Sequence, residues 1–447
     1  MAEPRRLELT VRQERAVLVC VFLPGHHRDP LDPLSELYGL ATTAGAFVVG
    51  TLTQKRQRPD AGGYIGHGKI EELKALVTEL KADVVIFDNE LSPGQIRNLE
   101  LATDTKVLDR AELILDIFAS RARTHEAKLQ VELAQLEYAL PRLKRLWTHL
   151  SRMEGGIGMR GPGEQQLEED RRIVDRKIVE LRRKIQHVQS RKEREVHSRS
   201  GEHTVAIVGY TNAGKSTLMN ALTGAGVLVE DKLFATLDTR TRRWHIPGFG
   251  DVLLSDTVGF IRDLPHALVA SFKATLEEVH QADLLLHVVD ASSTTARDQI
   301  DAVNSVLEEL GCQTKPTIMA LNKADMIRDR SFLDVLKANY RDAVSISAKS
   351  GAGLDDLRHA VAERLAREFV DAEVETSAGN GKLLAYLSSH AIEQSRMYDD
   401  GRLIMQCRLP RHCLGQVARL HGACRNVWDA STRDSEDREG EETLRTR

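Results

Sequence analysis

The chain has 447 residues, a formal net charge of −4 and 41% hydrophobic residues. This length allows roughly two to four domains, and the composition is ordinary for a protein that folds in water. No run of about eighteen apolar residues occurs, and no apolar signal core follows the N-terminus, so we expect a cytoplasmic protein without a membrane span. The five cysteines form no C-x-x-C pair, which argues against a disulfide framework or a zinc ribbon.

The first region, residues 1–120, alternates between β-rich and helical segments. Such alternation predicts a small α/β domain with a parallel sheet. The predicted strands are 16–23, 46–52, 83–87 and 106–108, and the predicted helices are 31–43, 69–80 and 92–101. Within this region the glycine-rich segment 62–69 ends on Lys69 and precedes a helix. It is either a phosphate-binding loop, and then a site for ATP, or only a tight turn.

The apolar pattern of residues 121–200 predicts a long helical hairpin. Apolar side chains recur at spacings of three and four in two stretches, so we expect two antiparallel helices that pack along these stripes. The stripes are Leu129, Leu133, Leu136, Leu140, Leu143, Trp147 and Leu150, followed by Leu167, Val174, Ile178, Leu181, Ile185 and Val188. Pro141 lies inside the first stripe and predicts a kink or break there.

The hairpin is basic, and its connection is rich in glycine. The region holds 19 Lys plus Arg against 12 Asp plus Glu, which indicates either an element made for a polyanion or a solvated helical surface. The connection 154–163 contains five glycines, more than a short helix-to-helix turn needs. Such a tip suits insertion into a narrow RNA-lined space, the alternative being a mobile surface loop. Its basic neighbours are Arg142, Lys144, Arg145, Arg152 and Arg160.

The third region, 201–370, begins with a phosphate-binding loop. A short β-branched strand at 204–208 leads into the pattern G-x-x-x-x-G-K-S and then into a helix that begins near Lys215. The loop amides would surround an anion, Lys215 would reach the terminal phosphates, and Ser216 would bind a magnesium ion carried by them. The predicted nucleotide-contacting residues of the loop are Gly209, Tyr210, Thr211, Asn212, Ala213, Gly214, Lys215, Ser216 and Thr217.

Two later motifs narrow the nucleotide to GTP or GDP. Further strands are predicted at 242–246, 252–255, 284–289, 317–321 and 343–346. The motif Asn322-Lys323-Ala-Asp325 follows one of them, and its aspartate can accept two hydrogen bonds from guanine, whereas adenine leaves the carboxylate unpaired. The segment Ser347-Ala348-Lys349 follows the last strand and completes a guanine pocket through a backbone amide.

The catalytic side of the predicted site lies between these motifs. Asp256 follows a strand, where a carboxylate holds magnesium through water, and the Gly259 amide faces the γ-phosphate. A mobile segment before it must supply a hydroxyl to the magnesium, for which Thr236 is the candidate and Thr239 its competitor. The predicted catalytic residues are Lys215, Thr236 and Gly259, and the predicted metal residues are Ser216, Thr236 and Asp256.

Two positions bear on the rate of hydrolysis. Phe260 stands where many GTPases carry the glutamine that orients the attacking water, and a phenyl ring has no hydrogen-bonding group. We therefore predict slow hydrolysis that a partner activates. Asn212 either holds a potassium ion whose charge replaces an arginine finger or only braces the loop through its amide.

The last region, 371–447, predicts a small α/β module with a helix at 383–394 and a strand at 402–409. Residues from about 431 onward are charged and lack an apolar stripe, which predicts a disordered tail. The predicted architecture is therefore a P-loop α/β domain preceded by a smaller parallel α/β domain and a long hairpin, and followed by this module.

Several of these motifs together resemble the HflX family of translation-factor-related GTPases. In the third region they are 209–216, 234–238, 256–261, 264–266, 271–273 and 322–325. In the first two regions they are Gly63-Tyr-Ile-Gly66, Leu91-Ser-Pro-Gly-Gln95, Asp109-Arg110, 155–158 and 160–164. The resemblance covers about residues 15–370. It implies a GTPase that binds the large ribosomal subunit, reaches toward the peptidyl-transferase centre with the hairpin tip, and splits stalled or idle ribosomes.

We accordingly expect a monomeric GTP hydrolase that acts on ribosomes and contacts ribosomal RNA through residues 154–163. Two alternatives stay open at this point. The protein is a GTP-regulated RNA-binding or ribosome-assembly scaffold without splitting activity, or it has a separate ATP-dependent activity in its first domain, for which segment 62–69 gives the support.

Overall fold

The structure is a computed structural model. It describes residues 11, 13–25, 32–147, 162–197, 203–224, 233–237, 239–247, 249–263, 277–327, 330–340, 342–366, 369–399, 401–410 and 413–429. Most of the predicted tip 154–163 and the whole charged tail from 431 onward lie outside these residues.

The N-terminal domain is a four-stranded parallel sheet with helices on its faces. Its strands are β1 (Arg15–Phe22), β2 (Phe47–Lys55), β3 (Val84–Phe87) and β4 (Lys106–Asp109), in the order β2-β1-β3-β4. Its helices are α1 (Ser35–Ala44), α2 (His67–Leu80), α3 (Pro93–Thr103) and α4 (Arg110–Arg121). Ser92 and Gln95 form a capping box that fixes the start of α3. The predicted parallel sheet is confirmed, and α4 is an additional helix that the sequence analysis did not assign.

The helical hairpin consists of α5 (His125–Trp147) and α6 (Pro162–His197). Their predicted stripes meet in one cluster of apolar side chains: Leu129, Leu133, Leu136, Leu140, Val174, Ile178, Leu181 and Ile185. Of the kink or break predicted at Pro141, the break is wrong, because α5 continues to Trp147. A proline removes one helical hydrogen bond, and the bonds of the flanking turns keep the helix intact.

The third region is built on a six-stranded sheet in the order β10-β9-β8-β5-β7-β6, and β6 is its one antiparallel strand. The strands are β5 (His203–Gly209), β6 (Arg240–Ile246), β7 (Gly250–Asp256), β8 (Leu284–Asp290), β9 (Thr317–Asn322) and β10 (Ala343–Ser345). The described helices are α7 (Lys215–Thr223), α8 (Glu277–Gln281), α9 (Ala296–Glu309), α10 (Arg330–Asn339) and α11 (Leu354–Ala366). Strand order reverses at β5, which opens a crevice at its carboxyl end.

The C-terminal module is a four-stranded antiparallel sheet with two helices. Its elements are β11 (Phe369–Ser377), α12 (Gly381–His390), β12 (Ile392–Asp399), β13 (Arg402–Pro410), α13 (Leu414–Arg419) and β14 (Ala423–Asp429). The predicted strand at 402–409 is confirmed. The predicted helix 383–394 is too long, because its last residues belong to β12, and β11 and β14 were missed. These strands carry charged residues on their open face and therefore lack a long apolar run.

The N-terminal domain packs against the third region on the side that carries the phosphate loop. Buried residues of both domains belong to one continuous core, which includes Phe118, Phe234 and Phe260. The rings of Phe118 and Phe234 meet edge to face with centroids 4.6 Å apart. The segment around Phe234 is thus held between two domains, a contact between distant parts of the chain that the sequence did not predict.

Candidate nucleotide-binding site

The phosphate loop connects β5 to α7, as the glycine pattern predicts. Gly209 has a positive φ, and a Cβ added there would lie 2.3 Å from the Val288 carbonyl oxygen. Gly214 also has a positive φ, and its Cβ would lie 2.3 Å from the Asn322 amide nitrogen. Both positions therefore require glycine. The helix begins at Lys215, so its N-terminal amides face the loop.

The Lys215 ammonium group is buried at the bottom of this loop. It donates to the carbonyl oxygens of Gly209 at 3.1 Å and Tyr210 at 2.8 Å. Burial lowers the pKa of Lys215 to about 8, although the nearby Asp256 carboxylate opposes this change. The two carbonyl dipoles and the Asp256 carboxylate stabilise the charge of Lys215, and an anion bound at the loop would neutralise it further.

Ser216, Thr236 and Asp256 converge as a single oxygen cluster. The Ser216 hydroxyl donates to Asp256 Oδ2 at 2.6 Å and lies 2.9 Å from the Thr236 hydroxyl, which is 3.3 Å from the same carboxylate oxygen. Burial raises the pKa of Asp256, and its Oδ1 is buried without a hydrogen-bond partner among the described residues. Two hydroxyls and a buried carboxylate with an unused oxygen form a donor set that suits Mg²⁺.

The competing Thr239 lies elsewhere. Its hydroxyl donates to Glu278 Oε1 on α8 at 3.2 Å, so it does not join the cluster around Asp256. The structure brings Thr236 to the predicted metal position, and the segment 233–237 closes over the phosphate loop. A small cavity of about 50 Å³ remains there, lined by the loop residues Thr211, Asn212, Gly214, Lys215, Ser216 and Thr217 together with Phe234, Ala235, Thr236 and Gly259.

The segment 256–262 is attached directly to the phosphate loop. The Phe260 amide donates to the Gly209 carbonyl at 3.1 Å, and the Phe260 carbonyl accepts from the Thr211 amide at 2.7 Å. The phenyl ring is 2% exposed and packs in the core shared with the N-terminal domain. A Cβ added to Gly259 would lie 2.9 Å from Lys215 Nζ, so the backbone here approaches the lysine closely. The side chain at position 260 therefore faces the core and presents no polar group to the loop.

The predicted base-binding residues meet at the other end of the loop. Asn322 donates to the Ala213 carbonyl at 2.8 Å and accepts from the Ala348 amide at 2.9 Å, so it joins the phosphate loop to the last motif. Lys323 pairs with Asp290 at 2.7 Å. The Asp325 carboxylate is exposed, and a side-chain hydrogen bond with Ser347 lowers its pKa.

Asn212 and the remaining positions complete the site. Asn212 is exposed and has a φ of 59°, a left-handed conformation that asparagine tolerates. Lys349 is exposed beside the buried Ser347 and Ala348. The predicted nucleotide-contacting residues therefore follow the carboxyl ends of β5, β7, β9 and β10, on one edge of the sheet.

An ion-pair cluster at the domain interface was missed by the sequence analysis. Tyr210 donates through its hydroxyl to Glu36 at 2.9 Å and accepts from the Arg262 amide at 3.0 Å. The Arg262 guanidinium lies 3.3 Å from Asp88 and 3.4 Å from Glu36, and Arg110 contacts both carboxylates. These residues are distant in sequence and follow no local pattern, so only the tertiary structure assembles them.

Two further predicted binding sites, segment 62–69 and the basic residues beside the hairpin tip, lie away from the phosphate loop. In segment 62–69, the Gly66 amide donates to Gln54 at 3.0 Å and Lys69 pairs with Glu72 at 2.7 Å, so these donors serve the protein's own acceptors and support the tight turn. Arg142 is wrong as an RNA contact, because it is 8% exposed and pairs with Asp109 at 2.9 Å. The side chains of Lys144, Arg145, Arg152 and Arg160 lie outside the described residues.

Among the helices that the structure describes, none has the length and apolar character needed to cross a bilayer.

Three family models match successive parts of the chain. Their descriptions are GTP-binding GTPase N-terminal for residues 32–119, GTP-binding GTPase Middle Region for 121–199, and 50S ribosome-binding GTPase for 204–323. With the phosphate loop and its strand-end motifs, these matches define the class of the protein as a P-loop GTPase.

The relatives specify the family. GTPase HflX of Escherichia coli (strain K12) is 45% identical over 401 residues, which cover 89% of this chain and 94% of that protein. GTPase HflX of Caldanaerobacter subterraneus subsp. tengcongensis is 50% identical over 363 residues, which cover 81% and 83%. A crystal structure of a GTP-binding protein from the archaeon Sulfolobus solfataricus in complex with GDP matches 79% of this chain and 98% of its own, with 25% identity and a TM-score of 0.43. The chain belongs to the GTPase HflX family.

Proposed function

We propose that this chain is a cytoplasmic, monomeric GTPase that binds the large ribosomal subunit and separates stalled or idle ribosomes. In this proposal the hairpin tip 154–163 contacts ribosomal RNA, and the subunit stimulates GTP hydrolysis. The observation that carries the proposal is Phe260. Its ring is buried in the core and its backbone is bonded to the phosphate loop, so the chain holds a nucleotide without a side chain at this position that could orient water.

The residues of the crevice would divide the work of binding and hydrolysis. Lys215 would leave the loop carbonyls and neutralise the terminal phosphates, and the Gly259 amide would donate to the γ-phosphate. Asp325 and the Ala348 amide would select guanine. The segment carrying Thr236 covers the loop and would exclude bulk water from the reacting phosphate.

Ser216, Thr236 and Asp256 would hold Mg²⁺ in the nucleotide complex. The support is the convergence of two hydroxyls on a buried carboxylate whose Oδ1 has no partner among the described residues. When bound, the ion would neutralise charge that develops on the phosphate oxygens.

Asn212 would hold a potassium ion beside the phosphates. The support is the exposed position of Asn212 in a left-handed turn of the phosphate loop. We expect hydrolysis without ribosomes to be faster in potassium than in sodium, and the Asn212→Ala variant to lose this difference. Equal rates of the unmodified protein in both salts would leave Asn212 with a bracing role only.

Light scattering of intact ribosomes tests the splitting activity. We expect scattering to fall after the protein is added with a non-hydrolysable GTP analogue, and to stay constant with GDP. A variant with residues 154–163 shortened should bind GTP normally and fail to split. If the unmodified protein binds ribosomes in a GTP-dependent way but scattering does not change, the protein is a scaffold and the splitting proposal is wrong.

A further inference from the structure

Two consecutive residues, Asp109 and Arg110, each hold a different part of the molecule. Asp109 is the last residue of β4 and Arg110 is the first residue of α4. Their exposures are 0% and 2%. Neither residue belongs to the nucleotide crevice, and no step of the proposed hydrolysis uses them.

Asp109 holds the hairpin base, which is the part of α5 that packs on the N-terminal domain and includes Tyr138 and Arg142. Its Oδ2 accepts from Arg142 on α5 at 2.9 Å and from the Tyr138 hydroxyl, while its Oδ1 caps α4 through the Glu112 amide at 2.9 Å. The Arg142 guanidinium lies 3.4 Å from the centroid of the Tyr138 ring and also donates to the Leu91 carbonyl at 3.3 Å. The hairpin base is therefore fixed to the end of β4 by a buried charge pair and a phenol.

Arg110 is linked through two carboxylates to the phosphate loop and to the segment 256–262. Its guanidinium donates to Asp88 at 2.7 Å and pairs with Glu36. The same two carboxylates pair with Arg262, whose own amide donates to the Tyr210 hydroxyl. Tyr210 is part of the phosphate loop, and Arg262 lies two residues beyond Phe260. Burial alone would raise the pKa of Glu36, but the charges of Arg110 and Arg262 hold it below its usual value, so the cluster is ionised.

The two sets of contacts cannot move independently. Breaking a buried ion pair by moving one partner leaves an uncompensated charge in a water-poor site, which is strongly unfavourable. A displacement of Arg262 or Tyr210 with the nucleotide state must therefore either carry Arg110 with it or break its pairs. Because Asp109 precedes Arg110 directly at the start of a helix, a shift of Arg110 changes the position of the carboxylate that holds Arg142.

We propose that the Asp109-Arg110 pair couples the nucleotide state of the GTPase domain to the base of the helical hairpin. The coupling is reciprocal, so an event that displaces the hairpin base also biases the segment 256–262. That contact with a large ribosomal subunit displaces the hairpin base rests on the proposed function, whereas the coupling to the nucleotide state does not. Asp109 and Arg110 are positioning residues, since neither touches the nucleotide.

Hydrogen exchange of the full chain tests the coupling without ribosomes. We expect the amides of α5 around residues 129–142 to exchange at different rates with GDP and with a non-hydrolysable GTP analogue. Tyr138→Phe removes one hydroxyl, and Arg142→Lys and Arg110→Lys keep the charge but lose the forked geometry. These variants should show a nucleotide-dependent difference reduced to less than about a third, with unchanged affinity for GDP. The matched control is Lys106→Met, which removes an ion pair with Glu14 elsewhere on β4.

Three outcomes decide the proposal. A difference in the unmodified protein and the control that is lost in the three variants supports it. No nucleotide-dependent difference in α5 of the unmodified protein overturns it. A full difference in all three variants also overturns it and makes the cluster a purely structural contact.

A second readout separates this inference from the proposed function. Large subunits should stimulate hydrolysis by Tyr138→Phe about tenfold less than hydrolysis by the unmodified protein, with equal rates in the absence of subunits. If subunits do not stimulate the unmodified protein, the proposed function is wrong and the exchange result alone decides the coupling. If they stimulate all variants equally, the coupling is wrong and the proposed function stands.

Discussion

The parallel N-terminal sheet and the mostly parallel sheet of the GTPase domain have similar architectures but different purposes. In both, charged residues stand at the carboxyl ends of the strands beside the start of a helix. In the N-terminal sheet, Asp88 and Asp109 are fully paired with buried arginines. In the GTPase sheet, Asp256 has an oxygen without a partner among the described residues, and Lys215 donates only to loop carbonyls. The first arrangement joins parts of the protein, and the second is completed by a ligand.

The largest expected difference is in nucleotide binding. Lys215→Met removes the cation that faces the phosphates and should weaken GTP affinity about a thousandfold, because several charge-assisted hydrogen bonds are lost. Lys106→Met removes a lysine at the start of β4 in the N-terminal sheet, where it pairs with Glu14 at 3.2 Å, and should leave GTP affinity unchanged. Fluorescent GDP titration measures both. Equal affinities for the two variants would contradict the assignment of the ligand site to the GTPase sheet.

The next difference concerns folding stability without nucleotide. Asp88→Asn leaves the buried Arg110 and the half-buried Arg262 short of one carboxylate and should lower the free energy of unfolding by about 3 kcal/mol. Asp256→Asn should change it by less than about 1 kcal/mol, because relief of a buried carboxylate whose pKa is raised by burial offsets the loss of the negative charge beside the buried Lys215. Urea unfolding of both variants at neutral pH measures the difference. Destabilisation of similar size in both variants would contradict the distinction between Asp88, which is paired within the protein, and Asp256, which keeps an oxygen for a ligand.

A smaller effect separates the two threonines near the crevice. Thr236→Val removes the hydroxyl that joins the oxygen cluster and should slow GTP hydrolysis by about ten- to a hundredfold. Thr239→Val removes a hydroxyl that bonds to Glu278 and should change the rate less than threefold, on the order of a surface hydrogen bond. Single-turnover hydrolysis of the two variants measures this. A larger loss of rate in Thr239→Val than in Thr236→Val would show that Thr239 supplies the catalytic hydroxyl and that the assignment to Thr236 is wrong.

The smallest effect is the pH dependence of nucleotide binding. The pKa of Lys215 is lowered to about 8 by burial in the free site, so the lysine is mostly neutral above that pH and must gain a proton to bind phosphate. GDP binding at about pH 8.5 should therefore take up most of one proton, and binding at about pH 7 much less. Calorimetry in two buffers of different ionisation enthalpy measures the number. The same uptake at both pH values would show that Lys215 titrates outside this range.

The sequence predicted the nucleotide crevice more completely than its surroundings. The phosphate loop, Asp256 and the motif at 322–325 follow local rules, because each needs one residue type at the end of a buried strand. The positions of the strands in both sheets also followed from apolar runs, whereas the strand orders and the antiparallel β6 were not predicted. The helix α4 was not predicted because it begins directly after β4, with no turn residues between the two elements.

The domain interface could not be predicted from local patterns. Glu36, Asp88, Arg110 and Arg262 come from four distant segments, and each is unremarkable in its own sequence context. The assignment of Arg142 failed for a related reason, since a basic residue on a basic helix gives no sign that a buried carboxylate lies opposite. The strands β11 and β14 were missed, and the start of β12 was assigned to a helix, because charged residues alternate with apolar ones in these strands and leave no continuous apolar run.

The central claim is that this GTPase depends on the ribosome for hydrolysis, and one measurement tests it most directly. The rate of GTP hydrolysis by the full chain is determined with and without large ribosomal subunits, at saturating nucleotide. Because Phe260 is buried and cannot orient water, we predict a slow rate alone and a stimulation of about a hundredfold or more by the subunit. Equal rates with and without subunits would contradict the account.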